Sequence, residues 1–294
     1  MRKGLFEESS GFTKISLLLL IFFFFALFSI IVLLIIKPIS ADWQEGDVLR
    51  LNLFIQNSII FIATPFIAQF LLWKEPTKKA LQLYVPNLFI LLWGILAMAS
   101  IGPLIDLLNT WNQSIHLPES MKAIEQWMAN TEKNADITTK ALLNISGLGR
   151  FISNIVVIAI MAGIGEELMF RGVLQKILIK WTGNIHWGVI SAAIIFSAIH
   201  FQFFGFVPRM ILGMVLGYLF VWSKSIWVPI AAHTINNALT VIFTPTPFNK
   251  GNKFIEEISK TPNTMGYVLA GTVIFAFCMW KIWNYYQVKA DMEE

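Results

Sequence analysis

The segment GEELMFR, residues 165–171, places two carboxylates and one guanidinium inside an otherwise apolar stretch. Glu166 and Glu167 are adjacent, so on a helix their side chains point about 100° apart and cannot share one role. Glu167 and Arg171 are spaced i, i+4 and can pair on one face. Glu166 is then left without a local cation, and a buried carboxylate of this kind is a candidate general base or metal ligand.

Two histidines lie in apolar stretches further along the chain. His200 ends the sequence FSAIH, and His233 begins the sequence HTINN, with Asn237 one helical turn later on the same face. Glu166 and His200 could activate a water molecule, while His233 and Asn237 could polarise a carbonyl or hold an oxyanion. Together these side chains predict a hydrolytic site.

A zinc site is the second chemistry that these residue types allow. His200, His233 and Glu166 could ligate zinc and leave one position open. The chain contains no His-Glu-x-x-His sequence, which excludes an ordinary zincin. Asn237 suits an oxyanion donor better than a zinc ligand. We therefore favour a water activated by Glu166 and His200, with any metal loosely bound or absent.

The composition indicates where such a site would have to be built. The 294 residues are 56% hydrophobic and 14% charged, with a mean hydropathy of +0.66. Soluble domains carry about a quarter charged residues, and disordered chains are poor in apolar ones, so both classes are excluded. The formal charge of +4 comes from lysines and arginines that separate apolar runs, which fits contacts with anionic lipid headgroups rather than nucleic acid.

The apolar runs predict an all-α, polytopic transmembrane helical bundle of about eight helices, since each span needs about 20 largely apolar residues. Arg209 and Lys224 flank a shorter run, and we expect both to extend toward the membrane interfaces. The predicted helices are 15–36, 51–73, 80–105, 151–178, 187–206, 210–223, 226–243 and 265–280.

These helices divide the chain into four parts. Residues 1–106 hold three transmembrane helices, and 107–149 form a polar extramembrane loop whose centre predicts a short surface helix. Residues 150–243 carry all the motifs on four helices, and 244–294 hold a loop, the last transmembrane helix and a C-terminal tail. Ionisable groups at membrane depth are costly, so those of 150–243 are functional candidates by default.

The order of the polar groups resembles the motifs of a known family. CPBP intramembrane proteases, which include the CAAX prenyl endopeptidases and are also called the Abi family, carry E-E-x-x-x-R, F-x-x-x-H and H-x-x-x-N on successive transmembrane helices. The resemblance covers roughly residues 150–243. This chain has the three motifs in order and intact, as Glu166-Glu167-x-x-x-Arg171, Phe196-x-x-x-His200 and His233-x-x-x-Asn237.

The resemblance implies a role for each group. Glu166 looks like the base that activates water, with His200 as its partner. His233 and Asn237 look like the oxyanion donors, and the pair at 167 and 171 like the support that orients the base. The family is described both as metalloproteases and as enzymes with a metal-free glutamate mechanism, so zinc stays an open alternative at this point.

The resemblance also implies the partners. We expect an intramembrane endopeptidase that acts on a membrane-associated or lipidated protein or peptide, surrounded by membrane lipid and without a nucleic-acid partner. Two alternatives belong to other classes: a non-proteolytic immunity or regulatory membrane protein of the same fold, and a transporter. The complete set of polar residues favours catalysis, and the absence of an internal repeat disfavours the transporter.

Basic residues near the first helices predict the orientation, because cytoplasmic loops are enriched in lysine and arginine. We expect a multi-pass protein of the cell (inner) membrane with both termini in the cytoplasm. The residues on the predicted inner side are Arg2, Lys3, Lys14, Lys74, Lys78 and Lys79, against Lys37 and Arg50 on the outer side.

Overall fold

A computed structural model describes residues 3–244, 246, 248 and 265–293, and every regular element in these ranges is helical. The predicted all-α class is therefore confirmed. Most of the predicted loop after residue 244 lies outside the described residues. The longer helices are α1 (Gly11–Ile36), α2 (Glu45–Leu72), α3 (Leu88–Ser100), α4 (Gly102–Gln113), α5 (Lys122–Leu143), α6 (Leu148–Thr182), α7 (Ile185–Ala198), α8 (Phe206–Ser223), α9 (Trp227–Phe243) and α10 (Met265–Glu293).

Five of these helices, α1, α2, α6, α8 with the turn before it, and α10, are long and apolar enough to cross a membrane. The α3–α4 pair, bent by 41°, counts as a sixth span if it crosses as one unit. Helix α7 has 14 residues and so extends about 21 Å, less than the roughly 30 Å of a hydrocarbon core. All eight predicted apolar helices are present in this multi-pass membrane protein, but not every one of them is long enough to cross the membrane by itself.

Two prolines explain why the third predicted helix has different boundaries. The third helix begins at Leu88 rather than at residue 80, since Pro86 disfavours helix at the position before it. It then breaks at Ile101, because Pro103 occupies the first turn of the following helix. Helix α4 continues to Gln113, well inside the segment predicted as a loop.

The predicted short surface helix is in fact the 22-residue helix α5. Its C-terminal carbonyl at Leu142 accepts hydrogen bonds from Arg50 Nη2 and Asn154 Nδ2, both at 2.8 Å. Arg50 Nε also donates to Asn154 Oδ1 at 2.6 Å. The last carbonyls of a helix lack partners within it, so these side chains of α2 and α6 hold the end of α5 against the bundle.

Helices α6 and α8 are joined by a repeated side-chain contact, referred to below as the α6–α8 ladder. Arg171 Nη2 donates to the carbonyl of Gly213 at 2.9 Å, and one turn later Gln175 Nε2 donates to the carbonyl of Gly217 at 3.1 Å. A Cβ atom on Gly213 would lie 3.1 Å from that of Ala193 on α7. Small residues thus let α7 and α8 approach closely beside the motif helix.

Both described termini lie at the same end of the bundle. The N–H of Gly4 donates to the carbonyl of Phe70 at 2.9 Å, just before the segment that joins α2 to α3. Tyr285, near the end of α10, lines a pocket with Glu75 and Lys79 of that same segment. Helix α8 has 18 residues and leads from the turn after His200 to this end, a distance of about 27 Å.

Candidate active site

Helix α6 carries its two glutamates between two π-helical stretches, Ile155–Met161 and Leu168–Gln175. Such wide turns in α-helices recur at functional sites. Two carbonyls of the first stretch bind side chains of neighbouring helices. The Val157 carbonyl accepts from Asn57 Nδ2 at 3.3 Å, and the Ile158 carbonyl accepts from Asn237 Nδ2 at 3.1 Å. The amide of Asn237 is thereby attached to α6 close to the glutamates.

Glu167 is the centre of a buried polar cluster. Its Oε1 atom accepts from Arg171 Nη1 at 2.9 Å and from His233 Nδ1 at 2.7 Å. The side chains of Glu167 and Arg171 are 0% and 2% exposed. The pair that the i, i+4 spacing predicts is formed, and the contact with His233 additionally joins α6 to α9. Nothing in the sequence predicted that second contact.

A glycine on α6 makes the contact between Glu167 and His233 geometrically feasible. A Cβ atom at Gly163 would lie 2.6 Å from Thr234 Oγ1 and 3.2 Å from the Thr234 backbone nitrogen. The first separation is too short for real atoms and the second is tighter than most Cβ contacts, so α9 approaches α6 this closely because position 163 lacks a side chain. The histidine preceding Thr234 is thus brought next to the glutamates.

Glu166, His200, His233 and Asn237 line one cavity of about 290 Å³, called the polar cavity below. Glu166 Oε2 lies 3.9 Å from His233 Nε2, and the Glu166 side chain is 15% exposed. The four residues that the sequence predicted as catalytic therefore come together from three regions of the chain. Glu167, which is fully buried, lies behind them.

Hydrogen bonds indicate which histidine nitrogens are available. His200 Nδ1 lies 2.7 Å from the carbonyl oxygen of Phe196, and because a carbonyl can only accept, Nδ1 carries the proton. The neutral form of His200 then has a lone pair on Nε2 that can accept from water. By the same argument His233 donates from Nδ1 to Glu167, so His233 Nε2 is the atom that faces Glu166.

Phe196 fills the space between the charged and imidazole groups. Its ring centroid lies 4.9 Å from the Arg171 guanidinium carbon, 5.0 Å from the His200 ring and 6.1 Å from the His233 ring. The guanidinium over its face is a cation–π contact, and both imidazoles meet it edge to face. The phenylalanine of the F-x-x-x-H motif therefore packs against parts of all three motifs.

The polar cavity has further polar lining residues that the sequence reasoning missed. Asp106 and Asn109 of α4, Asn236 of α9 and Arg209 at the start of α8 all line it. Arg209 Nη1 donates to the carbonyl of Gln202 at 3.4 Å, which holds the arginine beside this cavity. That it extends toward a membrane interface stays a prediction. Its position directly after the His200 segment was the available signal.

A second cavity, of about 350 Å³, shares Glu166, His200 and Asn237 with the first. It lies between α2, α5, α6 and α9 and is called the apolar cavity below. Much of its remaining lining is apolar, including Leu53, Phe61, Leu142, Leu143, Val157 and Val241. The candidate catalytic groups therefore lie where a polar and an apolar cavity meet.

The donor set does not fit a three-ligand metal site as it stands. Within the described part of the chain, no three His, Cys, Asp or Glu side chains are grouped closely enough to hold a metal ion. The Nδ1 contacts of His233 with Glu167 and of His200 with a backbone carbonyl leave both Nε2 atoms available, so only the grouping of the side chains argues against a metal. Zinc therefore stays a hypothesis that the grouping of these side chains does not favour.

Fold and site thus define a multi-pass helical membrane protein with a glutamate–histidine site among its helices. Residues 149–239 match the family model of type II CAAX prenyl endopeptidase Rce1-like proteins. This confirms the predicted family resemblance over the segment that holds all three motifs.

Three relatives are similar to the chain. The Bacillus subtilis (strain 168) protein YpbD, described as uncharacterized, is 31% identical over 94 residues, which are 31% of this chain and 45% of YpbD. The same organism's YdiL, described as a putative membrane peptidase, is 32% identical over 93 residues, 32% of this chain and 38% of YdiL. The chain therefore spans less than half the length of these two relatives.

A longer match is to MroQ of Staphylococcus aureus (strain USA300), described as a membrane-embedded CAAX protease. It is 28% identical over 204 residues, which are 67% of this chain and 76% of MroQ. No solved structure matches the chain.

Proposed function

We propose that the protein is an intramembrane endopeptidase that hydrolyses a peptide bond of a membrane-associated or lipidated protein or peptide. The observation that carries the proposal is the single cavity lined by Glu166, His200, His233 and Asn237. The family match over residues 149–239 and the description of MroQ as a membrane-embedded CAAX protease support it.

In the proposed reaction Glu166 acts as the general base. A water molecule held between Glu166 and His200 Nε2 gives a proton to the Glu166 carboxylate while its oxygen attacks the peptide carbonyl carbon. When the carbon–nitrogen bond breaks, the same proton passes from Glu166 to the departing amine. The products are a new C-terminal carboxyl group, which holds the water oxygen and gives its remaining proton to the new amine or to solvent, and a new N-terminal amine, so every atom of the water is accounted for.

In the proposed reaction His233 and Asn237 stabilise the oxyanion that forms when the water adds to the peptide carbonyl. One N–H of the Asn237 amide binds the Ile158 carbonyl, which orients the amide and leaves its second N–H for the oxyanion. His233 can donate from Nε2 only as an imidazolium, and the carboxylates at 2.7 Å and 3.9 Å stabilise that charged form. Glu167 and Arg171 position His233 and do not touch the substrate.

The two cavities support a substrate that is apolar on one side of the cleaved bond. A lipid chain or apolar segment would occupy the apolar cavity, while the polar part of the peptide would lie toward Arg209 and Asp106 in the polar cavity. We further propose that the protein lies in the cell membrane with both termini in the cytoplasm. The lysines around the end of the bundle that holds both termini support this orientation.

The test compares wild type with Glu166→Gln in two assays. In cell membranes, proteomics should find new peptide termini that depend on wild type and disappear in the variant. With purified protein, an internally quenched farnesylated CAAX peptide in ¹⁸O water should gain one ¹⁸O in the new carboxylate, and Glu166→Gln should lower kcat at least about a hundredfold. The matched control is Glu119→Gln, whose carboxylate is 89% exposed on the loop before α5.

The proposal would be overturned if wild type and Glu166→Gln produced the same new peptide termini in cell membranes and cleaved the quenched peptide at the same rate. A wild-type protein that cleaves nothing, but whose loss changes the transport of a solute, would favour the transporter reading instead.

A further inference from the structure

The connection between α7 and α8, residues 199–205, contains His200 and is called the His200 turn below. The position of the imidazole therefore depends on the conformation of this connection. Phe201, which directly follows His200, has a φ of 53°. This left-handed conformation is unfavourable for a bulky residue and persists only where surrounding contacts fix it. The contacts that fix the His200 turn are thus part of how the site is built.

Asn112, on α4, binds the backbone at two points around the start of α8. Its Nδ2 atom donates to the carbonyl of Phe203 at 3.1 Å, and its Oδ1 atom accepts from the N–H of Val207 at 2.9 Å. The N–H groups of the first turn of a helix lack partners within that helix, so Asn112 supplies one of them from a neighbouring helix. The residue is 6% exposed, which shields both hydrogen bonds from water. Asn112 thereby attaches the His200 turn to α4.

Helix α5 contacts the same turn from another direction. The Oε2 atom of Glu132 accepts from the N–H of Phe204 at 3.3 Å. The ring of Trp127 lies 5.1 Å from the ring of Phe203, centroid to centroid. The other end of α5 is held at Leu142 by side chains of α2 and α6. Helix α5 therefore connects the His200 turn to the helices that surround the apolar cavity.

The hydrogen bonds on the α7 side leave the turn as the part that sets where the imidazole lies. His200 Nδ1 is bound to the Phe196 carbonyl, and Ser197 Oγ donates to the carbonyl of Phe206 at 2.7 Å. Both contacts join the end of α7 to the turn or to the start of α8, so the ring moves when the turn moves. In the proposed reaction His200 Nε2 has to meet a water molecule that also contacts Glu166. A displacement of about 1 Å from such an alignment can lower a rate about a hundredfold.

We propose that Asn112 and Glu132 are positioning residues of the peptidase, which hold the His200 turn so that His200 Nε2 faces the catalytic water. This inference rests on the proposed function. Neither side chain is among the described residues that line the polar cavity or the apolar cavity, so both act through His200 and not on the substrate. Both also lie outside residues 149–239, the segment that matches the family model. The proposal thus gives α4 and α5 a role that the three motifs do not contain.

Kinetics with the quenched farnesylated CAAX peptide test the role of Asn112. Asn112→Leu keeps the size of the side chain and removes both hydrogen bonds. We expect kcat to fall about 10- to 100-fold while KM stays within about twofold of the wild-type value.

The role of Glu132 is tested by two substitutions at the same position. Glu132→Leu removes the acceptor of the Phe204 N–H and should lower kcat at least about twofold. Glu132→Gln can still accept that N–H and should keep nearly the wild-type kcat, which separates the hydrogen bond from the charge. The matched control is Asp136→Leu, which removes an exposed carboxylate one turn further along α5 and should leave kcat unchanged.

A double-variant cycle separates positioning from a general loss of folded protein. In a His200→Ala background, Asn112→Leu should change the residual kcat less than about twofold, because no imidazole is left to position. A fall by the same factor as in the wild-type background would mean that Asn112 only supports folding, and would overturn the proposal. Hydrogen exchange of residues 201–207 should be faster in Asn112→Leu and unchanged in Asp136→Leu. Unchanged exchange in Asn112→Leu would mean that its two hydrogen bonds do not hold the turn.

Failure of the proposed function gives a different result from failure of this inference. If Glu166→Gln cleaves the peptide as fast as the wild type, the peptidase assignment is wrong and the positioning role is wrong with it. If Glu166→Gln is inactive while Asn112→Leu and Glu132→Leu keep the wild-type kcat, only the positioning role is overturned. If Asn112→Leu does not fold, Asn112→Asp replaces it. That variant still accepts from the Val207 N–H but cannot donate to the Phe203 carbonyl, so a lower kcat is again expected.

Discussion

Replacing Glu167 by glutamine should destabilise the protein far more than the same replacement at Glu166. The change leaves the Arg171 guanidinium buried without its carboxylate, and removing one member of a buried ion pair costs about 3–5 kcal/mol. In chains of this order of size each kcal/mol lowers Tm by about 2–4 °C, so Tm should fall on the order of 10 °C. Glu166 faces the polar cavity and its side chain is 15% exposed, so Glu166→Gln should shift Tm by less than about 2 °C.

The assay is thermal unfolding of the purified proteins in one detergent, read by intrinsic fluorescence. The double variant Glu167→Gln/Arg171→Met supplies the internal check. It removes both charges together, so it should recover a measurable part of the Tm that Glu167→Gln loses. The Gly213 carbonyl loses its donor in the double variant, which keeps the recovery incomplete.

Two results would refute this reasoning. If Glu167→Gln abolishes peptidase activity at the wild-type Tm while Glu166→Gln stays active, the roles assigned to the two glutamates are reversed. If the loss of Tm in the double variant equals the sum of the losses in the two single variants, Glu167 and Arg171 are not energetically coupled. Their contact would then not explain why both side chains are buried.

Three further predictions concern the oxyanion, the metal and the surface helix. With the quenched peptide as substrate, Asn237→Ala should lower kcat about 10²–10³-fold and leave KM within a few-fold of the wild-type value. A change in KM alone would mean that Asn237 contributes to substrate binding and not to the oxyanion. By elemental analysis the purified, active protein should contain less than stoichiometric zinc, and it should keep its peptidase activity in the presence of a chelator. If a chelator abolishes the activity and zinc alone restores it, His200 and His233 are zinc ligands. Burial raises the pKa of Glu132, although the Phe204 N–H donates to its carboxylate. The stability that this pKa shift contributes is full below pH 4.5 and is lost as pH rises through the raised pKa. Glu132→Gln should therefore protect α5 from hydrogen exchange at pH 7 and change its exchange little at pH 4.5. Equal exchange in the variant and the wild type at pH 7 would contradict this prediction.

The parts of the site that lie within one helix were predictable from spacing. Glu167 and Arg171 pair because residues four apart share a helix face, and this holds although Arg171 lies in a π-helical stretch. Helix boundaries were less predictable, since hydropathy cannot distinguish an apolar helix from the apolar residues around Pro86 and Pro103. The bounds predicted for the 80–105 helix were wrong for that reason.

Contacts between distant segments could not be read from the pattern. His233 binds Glu167 across 66 positions, and nothing local to either residue specifies the partner. Arg209 was predicted to lie at the membrane interface because a charged residue at the end of an apolar run is expected just outside the hydrocarbon region. Its position in the lining of the polar cavity depends on the turn at residues 201–205, which hydropathy does not indicate.

The α6–α8 ladder restricts how a substrate can reach the site from the lipid. Lateral entry requires two neighbouring helices to move apart, and parting α6 from α8 would strip Arg171 and Gln175 of their backbone acceptors inside hydrocarbon. The apolar cavity lies elsewhere, between α2, α5, α6 and α9, and much of its lining is apolar, which fits contact with a lipid chain or an apolar segment. A substrate diffusing in the plane of the bilayer would therefore not enter between α6 and α8, which would act as one rigid wall, and entry between α2 and α5 would have to release the Arg50 contact that holds the end of α5.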